Sequence, residues 1–346
     1  MPISASALTS LTTYHWYDVV ESMLRARLAG GDPDPAILEA SRLASVAQRV
    51  LALDAEDFTE LAQPFDRPWA QRLIESCFPA GPRDADRGAL ASLVPLYELM
   101  LEVIDLRSER HEPQEIVVTA HLIGEYLPQL AWETTLGHGG DPLVLGRYVG
   151  ERWGTDDPTC PHSSAMRSTA RRALNAALGD KAGYTSYLDK FHSRLGDTLA
   201  VCGMNHATVA AGERPDVGET CPNPCQWATR GTMEHRRSLD ARLRLALIYL
   251  DSPLVALRHH APVGHFFGVP STAEISEAWI RTWGKLTTQW ADGENPLVGQ
   301  TSDVAGEALP GLSMLISTVA DRPVRAGHLL ADIGDDITAA LARATR

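Results

Sequence analysis

The residues best equipped for chemistry are cysteines and histidines drawn into one stretch. Four of the five cysteines lie between residues 160 and 225. They read Cys160-Pro-His162, Cys202-Gly-Met-Asn-His206 and Cys221-Pro-Asn-Pro-Cys225. Thiolates and imidazoles at short spacings suit a transition metal. Zinc is the default for a mixed sulfur and nitrogen set, with iron as the alternative. A structural zinc site needs four ligands in a tetrahedron, commonly supplied as two short-spaced pairs. Cys160 with His162, and Cys221 with Cys225, are two such pairs. Pro161, Pro222 and Pro224 stiffen both loops and lower the entropy lost on ordering them. Cys202 and His206 stand at i,i+4 and are reserve ligands. They share a face if the helix ending near residue 201 runs one turn further. Two other readings compete: unconnected cysteines buried as small hydrophobes, and a reversible disulfide between Cys221 and Cys225. Cys77 lies in an amphipathic helix and reads as core.

A second set lies outside that stretch. His259, His260 and His265 fall within seven positions of a Gly- and Pro-shaped connection between helices. Neutral imidazoles there could ligate a metal or act as a general base near neutral pH. The plainer alternative is an imidazolium at a helix C-terminus. His121 and Glu125 sit one turn apart among Val117, Val118, Leu122, Ile123 and Leu127. Burying a carboxylate is costly unless it is paired, so this pair must meet each other, a metal or water. Ordinary i,i+4 pairing on a half-exposed face is the alternative. His121, Glu125, His259, His260 and His265 are therefore the candidate catalytic residues. The Glu-x-x-His signature of carboxylate-bridged iron bundles is missing, which weighs against iron.

The elements that must position these groups read as helices. Apolar spacing predicts helices over 10–29, from Asp34-Pro35 to about Leu51, from Asp54, from Asp66-x-Pro68, and over 86–108 and 113–136. Pro79-Ala80-Gly81-Pro82 breaks the chain before the 86–108 helix. Gly137 closes the 113–136 helix. Further helices are predicted over 163–178, 181–201, 232–251, 271–290 and 325–343. Ser271 with Glu274 forms a capping box for the 271–290 helix. Residues 207–230 read as irregular. Alternating strand patterns are nearly absent. The fold class is mainly α: a compact multi-helix bundle with an irregular Cys/Pro-rich segment and little or no β-sheet. Gly, Asp and Pro cluster near 137–160. That divides the chain into an N-terminal helical region, 1–150, and a C-terminal region, 151–346, carrying the Cys/His cluster. A single domain is the equal alternative.

The chain has 346 residues, 44% of them hydrophobic, so a packed core is available. Aromatic residues are only 6%, which leaves aliphatic side chains and alanine to fill it. A net charge of −13 repels phosphate backbones and argues against nucleic acid as a partner. The arginine runs at 167–172 and 230–244 are the places for a local basic patch, and read more plainly as solvated helix faces. No leader pattern and no stretch near the roughly 18 apolar residues of a membrane helix is seen, so a soluble cytoplasmic protein is expected. There clustered cysteines are metal or catalytic groups rather than bridges.

Walker loops, Gly-x-Gly-x-x-Gly turns, Gly-x-Ser-x-Gly elbows and His-Glu-x-x-His are all missing. An all-α chain of this length invites comparison with class I terpene synthases, and Asp105-x3-Glu109 is loosely similar to their first magnesium motif. Val209 stands where their second motif has Ser or Thr, and the low aromatic content suits a carbocation pocket poorly. That resemblance is set aside. Asp332-x2-Asp335-Asp336 is a further acidic cluster, read as helix-start aspartates rather than magnesium ligands. The expected function is that of a helical metal-binding protein. It is either an enzyme doing acid–base or Lewis-acid work on a small polar molecule, or a non-catalytic scaffold with structural zinc. The oligomeric state stays open.

Overall fold

A computed structural model describes residues 4–31, 34–78, 91–137, 232–260, 268–291, 293–302 and 306–344. Among them there are helices and no strand, so the protein is mainly α. In chain order they are α1 (Ala5–Thr13), α2 (Tyr17–Ala29), α3 (Pro35–Leu51), a 3-10 turn (Ala55–Asp57), α4 (Phe58–Ala62), α5 (Pro68–Glu75), α6 (Val94–Glu109) and α7 (Pro113–Leu136). Then come α8 (Met233–Leu250), α9 (Pro253–Ala256) with a 3-10 turn (Leu257–His260), α10 (Thr272–Leu286), α11 (Leu312–Ala320) and α12 (Leu329–Arg343). The predicted helices at 163–178 and 181–201, the irregular 207–230 segment and the 79–82 break lie outside the described residues.

Several boundaries follow local chemistry. Asp34 Oδ1 accepts from Ala36 N at 2.8 Å, with Pro35 at the first helical position. Ser271 Oγ accepts from Glu274 N at 3.3 Å while Glu274 Oε2 accepts from Ser271 N at 2.8 Å, completing the capping box. Gly137 ends α7 at φ 76°, a conformation open to glycine.

Other boundaries differ from the sequence reading. The single helix over 10–29 is two helices, because the chain reverses at His15, whose φ is 58°. Asp66 does not cap α5; Arg67 holds the cap position without a side-chain bond. The helix expected from residue 86 begins at Val94, with Leu93 N donating to Glu133 from another helix. Helix α11 went unread. It starts at Gly311, where φ is 92° and a Cβ would lie 2.7 Å from the Trp283 ring.

Helix α6 is the hub. Its Leu99, Val103 and Leu106 join a core made by α1 to α5 and α12. Its Leu96, Tyr97, Met100 and Ile104 join a second core with α7 to α11. A helix apolar on opposite sides must be buried on both. Helix α12 packs along α3, so the end of the chain closes the first core. Asp332 and Asp336 of α12 tie it instead to α5. Asp332 pairs with Arg72, and Asp336 Oδ2 accepts from Trp69 Nε1 at 2.8 Å.

Candidate functional site

Helix α7 buries Val117, Ala120, Ile123, Leu127 and Leu130 against the second core. Glycine at 124 lets α8 and α9 approach closely: a Cβ there would stand 3.4 Å from both Leu250 Cδ1 and Val255 Cγ2. Ser252 Oγ caps α9, and Leu254 N donates to Thr282 Oγ1 at 3.2 Å. These contacts fix the 3-10 turn that follows α9 against α7.

Three charged or polar groups meet there. His121 Nε2 lies 3.0 Å from Glu125 Oε1, and the Arg258 guanidinium contacts the same Nε2. His121 is buried, while the Glu125 carboxylate is a third exposed. Nε2 carries either a proton or a lone pair. With the proton it donates to Glu125; with the lone pair it accepts from Arg258. It cannot satisfy both neighbours. His121 Nδ1 is buried and has no hydrogen-bond partner among the described residues. Glu125 is held below its usual range, first by the His121 hydrogen bond and then, against the effect of burial, by the His121 and Arg258 charges. A carboxylate, an imidazole and a guanidinium in one contact can orient a polar molecule and move one proton.

Of the expected catalytic residues, the structure brings His121 and Glu125 together. His259 lies exposed on the 3-10 turn, next to Arg258 in sequence. His260 shares that turn by its backbone, and its side chain lies outside the described residues, as does His265. The sequence reading missed Arg258 as a partner. The signal was present: a cation heads the histidine run, and a paired His and Glu buried elsewhere invite one.

All six metal candidates, Cys160, His162, Cys202, His206, Cys221 and Cys225, lie outside the described residues. Among the described residues no cluster of three or more His, Cys, Asp or Glu suits a metal. Cys77 is buried as expected, with Sγ 3.6 Å from the Glu56 carbonyl. Asp105 accepts from Ala308 N at 2.8 Å and so ties α6 to the segment before α11.

Two arginines of the 230–244 run are not on a solvated face. Arg242 is 2% exposed and donates to the Ala131 carbonyl at 3.1 Å, Thr134 Oγ1 at 3.0 Å and the Val319 carbonyl at 3.4 Å. It thereby serves the carbonyl ends of α7 and α11, where a cation opposes the helix dipole. Arg244 pairs with Asp240 at 2.9 Å and lies over Trp290. No helix among the described residues is long and apolar enough to cross a membrane.

Compared with protein-family models, with curated proteins and with solved structures, the chain matches none.

Proposed function

We propose that this chain is a metal-dependent helical enzyme acting on a small polar molecule. Zinc, with iron as the alternative, sits on Cys160, His162, Cys221 and Cys225, with Cys202 and His206 in reserve. His121 is the proton carrier. One observation supports the catalytic half: a buried imidazole has a carboxylate on Nε2 and, among the described residues, no partner on Nδ1. Glu125 accepts from Nε2–H and leaves the lone pair on Nδ1. Nδ1, buried in this conformation, takes the proton from the substrate once the side chains over it part, and Glu125 stabilises the imidazolium that forms. Arg258 holds the negative charge left on the substrate.

The tautomer of His121 tests the reading. Long-range proton–nitrogen NMR of the histidine-labelled protein at neutral pH is expected to show Nε2 protonated and Nδ1 bare. Nδ1 protonated, with Arg258 donating to Nε2, would make the contact a clasp and remove the base. Metal analysis of untagged protein prepared without chelator covers the other half. Close to one zinc or iron per chain is expected, falling in Cys221→Ser; trace metal ends that half.

The non-catalytic reading, a helical scaffold with structural zinc, also has a specific observation in its favour. Glu102 and Glu133, two other buried acidic residues, both cap helices. The clasp outcome of the tautomer experiment would favour it.

A further inference from the structure

The corner between α1 and α2 carries a cluster that neither the metal segment nor the α7 dyad uses. Tyr14, His15 and Trp16 fill it. His15 is held in the left-handed region at φ 58°, sparsely populated by residues with a side chain. Tyr17 Oη donates to the Leu330 carbonyl at 3.1 Å, and His15 Nδ1 lies 2.8 Å from the same oxygen. Tyrosine has one hydroxyl proton, and a carbonyl only accepts. Nδ1 must therefore donate to Tyr17, which fixes His15 as the Nδ1–H tautomer. Its lone pair is on Nε2, and no partner among the described residues holds that atom. Burial moves His15 below its usual value and Arg110 adds to this, against the pull of Glu109, so the ring stays neutral.

Arg110 sets the neighbouring ring. Its guanidinium carbon lies 4.3 Å from the Trp16 ring centroid, Nη1 donates to the His15 carbonyl at 2.6 Å, and Nη2 pairs with Glu112 at 2.7 Å. The cation is itself buried. Indole and imidazole are thus fixed in place before any ligand arrives. Trp16 nevertheless stays 37% exposed and Tyr14 69% exposed. The residues on either side of His15 in the chain thus expose aromatic surface next to a ring whose tautomer is fixed.

We propose that this corner binds a small planar aromatic molecule carrying one O–H or N–H donor. The ring lies on Trp16, and the donor points at His15 Nε2. Aromatic stacking selects the planar group, because the indole is rigid and supported by Arg110. The fixed tautomer selects a donor, because Nε2 can only accept. The backbone of α12, through Leu330 and Tyr17, decides which nitrogen accepts. The site is independent of the His121 reading and of any metal.

Phenol is the probe and benzene the comparison without a donor. The full chain, labelled with nitrogen-15 in histidine, is titrated with each. Phenol is expected to shift the His15 Nε2 resonance saturably and to quench fluorescence that disappears in Trp16→Phe. Benzene is expected to bind roughly three- to tenfold more weakly, the loss of one net hydrogen bond. His15→Asn tolerates the left-handed backbone and is expected to weaken phenol by a similar factor with unchanged helicity. The wild-type titration decides the proposal whatever the variants do. A His15 Nε2 resonance that phenol leaves unmoved, or benzene bound as tightly as phenol, overturns it.

Discussion

Glu102 should be the most consequential polar side chain in the first core, and replacing it separates two reasons why. It lies buried on α6, and its oxygens accept from Leu329 N at 2.8 Å, Leu330 N at 2.9 Å and Ala331 N at 3.3 Å. Helix α12 has no side-chain cap of its own, so a carboxylate 227 residues away along the chain supplies it. In Glu102→Leu those donors lose their acceptor. Leu329 and Leu330 are buried and Ala331 is exposed, so two donors are orphaned away from water. At about 1–3 kcal/mol for each, offset by leucine's apolar burial, the expected loss is about 3 kcal/mol. Glu102→Gln keeps one carbonyl oxygen. Burial pushes the Glu102 carboxyl up and outweighs the three N–H bonds and the nearby His328, which pull it down. The charge therefore contributes little beyond the acceptors, but the glutamine amide nitrogen faces one of the two buried N–H donors, so glutamine is expected to cost about 1–3 kcal/mol. Urea unfolding followed by far-ultraviolet circular dichroism measures both. Hydrogen exchange at Leu329 and Leu330 should speed up in the leucine variant before global unfolding. A leucine variant within about 1 kcal/mol of wild type would refute the capping argument. A glutamine variant as stable as wild type would show that one acceptor oxygen is enough to hold α12.

Three further outcomes are expected. Burial pushes Asp105 up to about 6, with the Ala308 N–H opposing and Glu307 and Glu109 adding. The folded state then keeps a proton that the unfolded chain releases, so stability falls as pH rises between about 4 and 6. Asp105→Asn still accepts from Ala308 and should flatten that fall, gaining about 1 kcal/mol at neutral pH after solvent screening; equal effects at both ends of the window refute it. Glu125 has the opposite sign. Its carboxyl is held low, so its contribution is present above the ordinary value and lost as pH falls through the lowered one. Glu125→Gln should remove that acid-side loss, read as urea midpoints from neutral pH down to about 3; a variant that loses stability on acidification as wild type does would sink it. Ser271→Ala should cost about 1 kcal/mol through the α10 cap, read as faster exchange at the Glu274 amide, and unchanged exchange there would exclude the cap as its source.

What could be read along the chain was what neighbours in sequence decide. Asp34 before Pro35, Ser271 before Glu274 and Gly137 after α7 each act within four residues, and the sequence shows them directly. The buried stripe of Leu239 and Leu243 on α8 is equally local. Caps delivered from afar left no such trace. Leu93 opens α6 because Glu133 reaches its N–H from α7, and α12 opens on Glu102. Neither start carries its own capping side chain, so the starts were misplaced. Helix α11 failed for a different reason: the Glu307 bond to Gly311 N, 2.7 Å and four residues back, is local, but the run Leu312–Ala320 mixes β-branched with unbranched residues and carries no clear helical signature. The candidate site divides the same way. His121 and Glu125 meet because they are one turn apart, which spacing states outright. Arg258 reaches them only because Gly124 admits α8 and α9, a packing event across 137 residues. The His15 tautomer lies further still from view, since it depends on a Leu330 carbonyl that Tyr17 engages across 313 residues. Chemistry in this chain is therefore legible as residue pairs, and the third group that gives each pair its direction comes from tertiary packing.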